Sequence, residues 1–368
     1  MVIPLMAVHY VDHLGWAAGT LGIVLALRQF TQQGFTTIFG ILADRVGPKI
    51  LIASGMIIRA LGFVAMAFAE NFWPVLAAAL IVAIGGAMFE APNQAAVAAL
   101  TFPDERRRFY ARIGMVGGVG TTVGTQLGAL LIDYDFSLVC LGGAAAFFFV
   151  FLAMMILMPP VAVSVDEGVA SEGIRGVLRD KTFVSYIAII AGYWFAWTQF
   201  GLTITLAAVA ISGTDRAVSW IYLVNALVTI ALGYVLPRLL ERWLTSLQMQ
   251  IAGVITIGLG LLLIGLASDL AGVLFAAAVF AIGAVMTRPG QETILANLAR
   301  PSARGTYFGF AALALAFGGG LGNYLGGVIY DLGGDGTSAM PWIVFASIAF
   351  GTAMLLWINR ERFSAVRA

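Results

Sequence analysis

Charge, cysteine and histidine are all scarce in this chain. Charged residues fill 11% of its 368 positions, where a soluble domain carries about a quarter. One cysteine, Cys140, excludes an internal disulfide and a cysteine-rich metal centre. Two histidines, His9 and His13, leave no His-rich metal or nucleophile–base pattern. No glycine run is followed by the Lys and Ser/Thr of a phosphate-binding loop. A net charge of +1 offers nucleic acid nothing to grip. Enzymatic chemistry, a metal, a cofactor and a nucleic-acid partner are therefore not expected.

What the chain has instead is apolar length. Hydrophobic residues make up 61% of it, and the mean hydropathy is +0.96. A membrane helix needs about 20 mostly apolar residues. Runs of that kind lie near 17–39, 50–69, 74–98, 111–132, 136–158, 183–209, 217–237, 248–267, 271–298, 305–330 and 340–358. Met1 to Tyr10 is apolar but too short to cross, and is expected to be the outer end of a first helix that begins further upstream. The expected fold is an all-α membrane protein of eleven complete spans plus that end. The spacing divides it into a helical bundle over 1–158, a polar linker over 159–182 and a second bundle over 183–368.

Lys and Arg orient the spans, because cytoplasmic loops retain them. One set of loops carries Arg45, Lys49, Arg106, Arg107, Arg108, Arg112, Arg175, Arg179, Lys181, Arg238, Arg242, Arg300, Arg304, Arg360, Arg362 and Arg367, and the other only Arg216. Sixteen against one places the linker and the C-terminus in the cytoplasm. Asp12, Glu70, Asp133, Asp135, Asp269, Asp331 and Asp335 then fall outside. His9 and His13 sit at that outer end, as surface residues or as a proton entry.

The two halves repeat. At an offset of 198, Gly85, Met88, Leu100, Arg106 and Asp133 match Gly283, Met286, Leu298, Arg304 and Asp331. Gly120, Gly124 and Gly128 match Gly318, Gly322 and Gly326. This small-residue stripe at helical spacing lets helices pack closely.

The stretch Gly40 to Ile52 reads G-I-L-A-D-R-V-G-P-K-I-L-I. Gly40, Asp44, Arg45, Gly47 and Lys49 fill the signature-loop pattern of the major facilitator superfamily, which this chain resembles; Pro48 stands where a base is usual. The runs Val11–Trp16, Leu27–Gly34, Gly55–Ala60, Asp133–Cys140 and Arg304–Phe310 are similar to those of its bacterial drug-efflux branch. The resemblance implies two pseudo-symmetric six-helix bundles and proton-driven export of drug-like small molecules across a bacterial inner membrane. A monomer is expected, though nothing in the sequence decides it. It also implies that Asp44 latches onto the start of the span at 305–330, with Arg45 and Lys49 relaying charge; positive-inside anchoring is the plainer account of Lys49. The chain departs from the family at Thr125, where a proline is usual, and near Ile81, where an arginine is. Import of a small metabolite or sugar, or a sensor that moves nothing, are the rival readings.

Five ionisable residues fall inside predicted spans: Arg28, Arg59, Glu90, Arg288 and Glu292. Each costs about 2.5–3.5 kcal/mol at the bilayer centre on insertion scales, so interior partners are expected. Glu90 is the candidate proton-coupling group, with Arg28, Arg59 or Arg288 tuning it; a fixed ion pair is the alternative. Glu292 is a second candidate, or the i,i+4 partner of Arg288. Tyr193, Trp194, Trp197 and Gln199 present aromatic faces and an amide suited to a drug cavity, or to packing. Trp16, Trp73, Trp220, Trp342 and Trp357 fall near span ends and read as interfacial anchors.

Overall fold

The computed structural model describes residues 2–100, 116–117, 120–121, 123–128, 130–132, 134–159, 176–299, 304–334 and 338–364. Helices account for nearly all of them. We number them α1 (Val2–Met6, continued by a π turn Ala7–His13), α2 (Ala18–Val46), α3 (Pro48–Met66), α4 (Phe72–Leu100), α5 (Val123–Ile132), α6 (Phe136–Leu157), α7 (Lys181–Ser212), α8 (Arg216–Leu232), α9 (Ser246–Ile264), α10 (Leu270–Leu298), α11 (Arg304–Ala314, continued by a π turn Leu315–Gly319 and by Gly320–Leu332) and α12 (Met340–Ile358). Eight of these are long and apolar enough to cross a membrane: α3, α4, α6, α7, α9, α10, α11 and α12. The helix α2 is not among them, because Arg28, Gln29, Gln32 and Gln33 dilute it. Most of the linker, Asp133 and the arginines at 106–108 and 112 lie outside the described residues.

Local chemistry sets the helix ends. Asp135 accepts from the Ser137 amide at 2.7 Å and Asp269 from the Gly272 amide at 2.8 Å. Thr245 and Gln248 form a reciprocal capping box at α9. Gly213, at φ +68°, closes α7 in the left-handed conformation.

The chain clusters into two units, residues 1–10 with 24–167 and residues 11–23 with 168–368. Inside each, one close helix crossing recurs. In the first unit α3 crosses α4 where a Cβ on Gly85 would stand 2.5 Å from the Gly55 carbonyl oxygen. In the second, α9 crosses α10 where a Cβ on Gly283 would stand 2.6 Å from the Gly253 carbonyl. One turn or two further on, Gly62 meets Val82 and Gly260 meets Phe280 in the same way. All four pairs keep the 198-residue offset (253 − 55, 283 − 85, 260 − 62, 280 − 82). The repeat is thus a repeat of packing: at these points only glycine lets two backbones touch.

The second unit also holds a buried anchor. Asp180 caps the Phe183 amide at 3.1 Å and accepts the Tyr307 hydroxyl at 2.9 Å, tying the start of α7 to the first turns of α11. Trp342 is fully buried against Gly265, Tyr330 and Phe345. It is a core residue, not the interfacial anchor its position suggests. Trp73, Trp220 and Trp357 do lie on the surface.

Candidate functional site

In the first unit three helices bring polar side chains together inside apolar surroundings. The Arg28 Nη2 of α2 donates to the Gln32 Oε1 one turn on, at 3.1 Å. The Gln32 Nε2 reaches the Glu90 Oε2 of α4 at 3.5 Å. Arg59, from α3, lays its guanidinium 4.9 Å above the Phe147 ring of α6. Gly86 makes room for them: a Cβ there would stand 2.9 Å from the Gln32 amide and 3.2 Å from the Arg59 Nη2. The Nε atoms of Arg28 and Arg59 are buried without a hydrogen-bond partner. Among the described residues no carboxylate lies within 4.0 Å of either guanidinium.

Three of the five charges expected in spans therefore converge, joined by an amide the charge count overlooked. Gln32 could have been found from the sequence as the i+4 neighbour of a membrane arginine. The other two charges separate from them. Arg288 and Glu292 pair with each other on α10, Nε to Oε1 at 3.4 Å, with side chains 79% and 67% exposed. The pair is the i,i+4 alternative, and neither side chain is buried in the second unit.

The stretch expected to be a loop is almost entirely helix. α2 runs through Gly40, Asp44 and Arg45 to Val46, and α3 begins at Pro48. Gly47 alone, at φ +90°, makes the turn. Pro48 takes the first helical position, where its missing N–H costs nothing. Lys49 is half-buried; the side chains of Asp44 and Arg45 lie outside the described ones.

The α5 glycines behave unevenly. Gly128 is buried and Gly124 half-buried, but Gly120, just before α5, is exposed, with no described atom within 4 Å of its would-be Cβ. Their α11 counterparts do make close approaches. Gly318 abuts the Ala191 carbonyl, Gly322 would meet the Phe195 oxygen at 2.7 Å, and Gly326 abuts the Gln199 amide.

That last contact redefines Gln199. It sits in a 3-10 turn, Gln199–Gly201, that interrupts α7. Its Nε2 donates to the Phe195 oxygen at 2.8 Å and the Gly322 oxygen at 3.0 Å; its Oε1 accepts from Thr203 at 3.1 Å. Fully buried and with its hydrogen bonds committed, Gln199 secures the break rather than lining a cavity. Tyr193 is also buried. Trp194 and Trp197 remain, in edge contact at 5.4 Å, with Trp197 41% exposed. A separate cleft of about 270 Å³ lies at the start of α9, between Gln248, Ile251 and Trp357, and neither Trp194 nor Trp197 lines it.

These features define a multi-pass membrane protein built on a repeated helical frame, with a polar cluster inside one unit. The chain belongs to the Major Facilitator Superfamily, whose profile matches residues 1–322. It is 38% identical over 358 residues to the multidrug resistance protein MdtH of Sodalis glossinidius, covering 97% of this chain and 88% of that one. It is 36% identical over 365 residues to the protein of the same name from Proteus mirabilis, covering 98% and 91%. Among solved structures, a peptide transporter POT in complex with sulfate superposes with a TM-score of 0.80 at 15% identity, covering 98% and 91%. The nucleoside transporter NupG does so with 0.79 at 14%, covering 97% and 94%. At that identity these two support the fold alone, which is that of the superfamily.

Proposed function

We propose that this chain is a secondary active transporter that exports drug-like small molecules across the bacterial inner membrane in exchange for protons. The names of its relatives support the multidrug substrate class. The observation that carries proton coupling is the state of Glu90. A structural ion pair would set a guanidinium within 4 Å of the carboxylate. Instead Glu90 accepts one long hydrogen bond from an amide, and Arg28 stands behind that amide. A carboxyl joined to its neighbours by one long hydrogen bond can exchange partners without dismantling the bundle. Protonation then shifts the balance between inward-open and outward-open states through their differential affinity for the proton. Trp194 and Trp197 supply aromatic surface for flat substrates. The Lys and Arg asymmetry supports a cytoplasmic Gly47 turn and an outer start of α2.

The test is drug accumulation in cells carrying the gene, with and without collapse of the proton gradient. Lower accumulation that disappears on collapse is expected, and Glu90→Gln should abolish it at unchanged membrane level. Gradient-driven export by Glu90→Gln at the parent rate would remove the residue from the mechanism.

A further inference from the structure

The outer end of α2 is held by a carboxylate from α11. The Ala18 N–H donates to the Asp331 Oδ1 at 2.9 Å, and the Gly19 N–H to the Oδ2 at 2.8 Å. Both amides belong to the first turn of a 29-residue helix, where no intrahelical acceptor exists. The acid also faces the positive end of the helix dipole. An asparagine there could offer one acceptor but would turn its NH₂ towards an amide donor.

Glycine brings the two helices to this distance. A Cβ on Gly19 would stand 2.9 Å from Val328, one on Gly22 would run into the Asn323 carbonyl, and one on Gly327 into the Ala18 carbonyl. A second contact lies at the same end: His13 Nε2 and Asp215 Oδ2 are 2.9 Å apart, joining the turn before α2 to the turn before α8. Through these contacts residues 11–23 group with the second unit, although α2 continues into the first from Val24.

We propose that Asp331 is a clasp for the outer end of this transporter, closing α2 onto α11 and releasing it once in each transport cycle. The proposal rests on the transport reading and the sidedness given above. The chemistry suits release. The seam is made of backbone, glycine and one exposed carboxylate, not of large interlocked side chains. On opening, water replaces the carboxylate at the two amides and the amides at the carboxylate, so no buried group is orphaned. Asp331 is a positioning residue: it sets how long the outer end stays shut and touches no substrate.

The experiment places one cysteine at Asn323, buried under the start of α2, in the full chain with Cys140→Ser, and measures labelling by a membrane-impermeant maleimide in right-side-out and inside-out vesicles. Asp331→Asn should raise labelling from the outer face about tenfold, as expected for loss of charge-assisted hydrogen bonds. Asp331→Glu should restore part of the protection. Gly19→Val, which forces the first turn off Val328, should raise labelling independently if Asp331→Asn fails to insert. Labelling of these variants at the parent rate overturns the clasp. A rise seen only in inside-out vesicles keeps the clasp and overturns the proposed sidedness.

Discussion

The glycine crossing in the first unit makes a quantitative demand. Gly85→Ala places a methyl 2.5 Å from the Gly55 oxygen, 2.8 Å from the Arg59 Cγ and 2.9 Å from the Arg59 nitrogen. Ordinary contacts of this kind lie near ~3.5–4 Å. Two of the three obstacles are backbone on α3, so the helices must part. Overpacking of this sort costs about 1–3 kcal/mol, and rigid backbone on both sides argues for about 3. Alanine returns about 1 kcal/mol of helix propensity. The net loss is about 2 kcal/mol, equivalent to about 4–8 °C in melting temperature for a unit of this size.

The assay is thermal unfolding of the detergent-solubilised protein. Gly34→Ala and Gly351→Ala are the controls, since neither would-be Cβ has anything within 4 Å. They should melt at or above the parent. Gly283→Ala, at the same place in the second unit, should fall as Gly85→Ala does. The displacement should also lift Arg59 from the Phe147 ring and lower transport. If Gly85→Ala melts with Gly34→Ala, the backbone crossing is not what holds α3 to α4.

Three further outcomes are expected. Gln199→Leu removes the amide that joins the Phe195 and Gly322 oxygens to the Thr203 hydroxyl; Thr198 still serves the Phe195 oxygen and the Gln199 backbone oxygen still accepts from Thr203, so about 1–3 kcal/mol is lost in all, and melting should fall with no change in which drugs are exported. Trp197→Ala should do the reverse, weakening export of flat aromatic compounds while the melting temperature holds, because the ring is 41% exposed. In the turn before α2, partial desolvation pushes Asp12 up to about 6, with the Asp215 carboxylate adding to the rise and His13 opposing it. A carboxyl raised in the folded state favours that state fully below its unfolded value of ~4, and the advantage is lost as pH climbs through 6. Asp12→Asn should therefore match the parent at pH ~4 and exceed it at pH 7; a stability difference constant across that range refutes the assignment.

Eight of the eleven expected spans were legible because each is a long apolar run ended by charge, glycine or proline, and the bilayer permits such runs only as helices; most of the run at 111–132 lies outside the described residues. The repeat was legible at Gly85 and Gly283, though not its meaning, since Gly55 and Gly253 lie 30 residues upstream and become partners only when the helices cross. The signature stretch was read as a loop because its charges look like loop charges; α2 absorbs them because nothing before Gly47 breaks the helix. Trp342 and Gln199 were misplaced for one shared reason. A membrane helix is apolar all round, so its pattern does not say which face meets lipid and which meets another helix. An indole near a span end and an amide within a span each fit two environments, and only the neighbours decide: Gly265 opens a slot for the indole, and the Gly322 carbonyl waits for the amide.

The same comparison bears on where coupling resides. At the repeated crossing the glycine pairs are conserved between the units while the charges are not. Arg59, beside Gly85, corresponds to Ile257 beside Gly283, and Glu90 corresponds to Arg288 (288 − 90 = 198). Ile257 is fully buried and Arg288 is turned out to pair with Glu292. A frame needed only for packing would tolerate isoleucine at both places, at lower cost than a buried arginine. The first unit instead keeps Arg59, Arg28 and Glu90 near one another, with two Nε atoms unpaired. That expense buys no stability. Arg59→Ile, copying the second unit, should accordingly leave melting unchanged or higher and lower gradient-driven export. A variant that melts lower and transports normally would make the cluster structural and remove the case for Glu90.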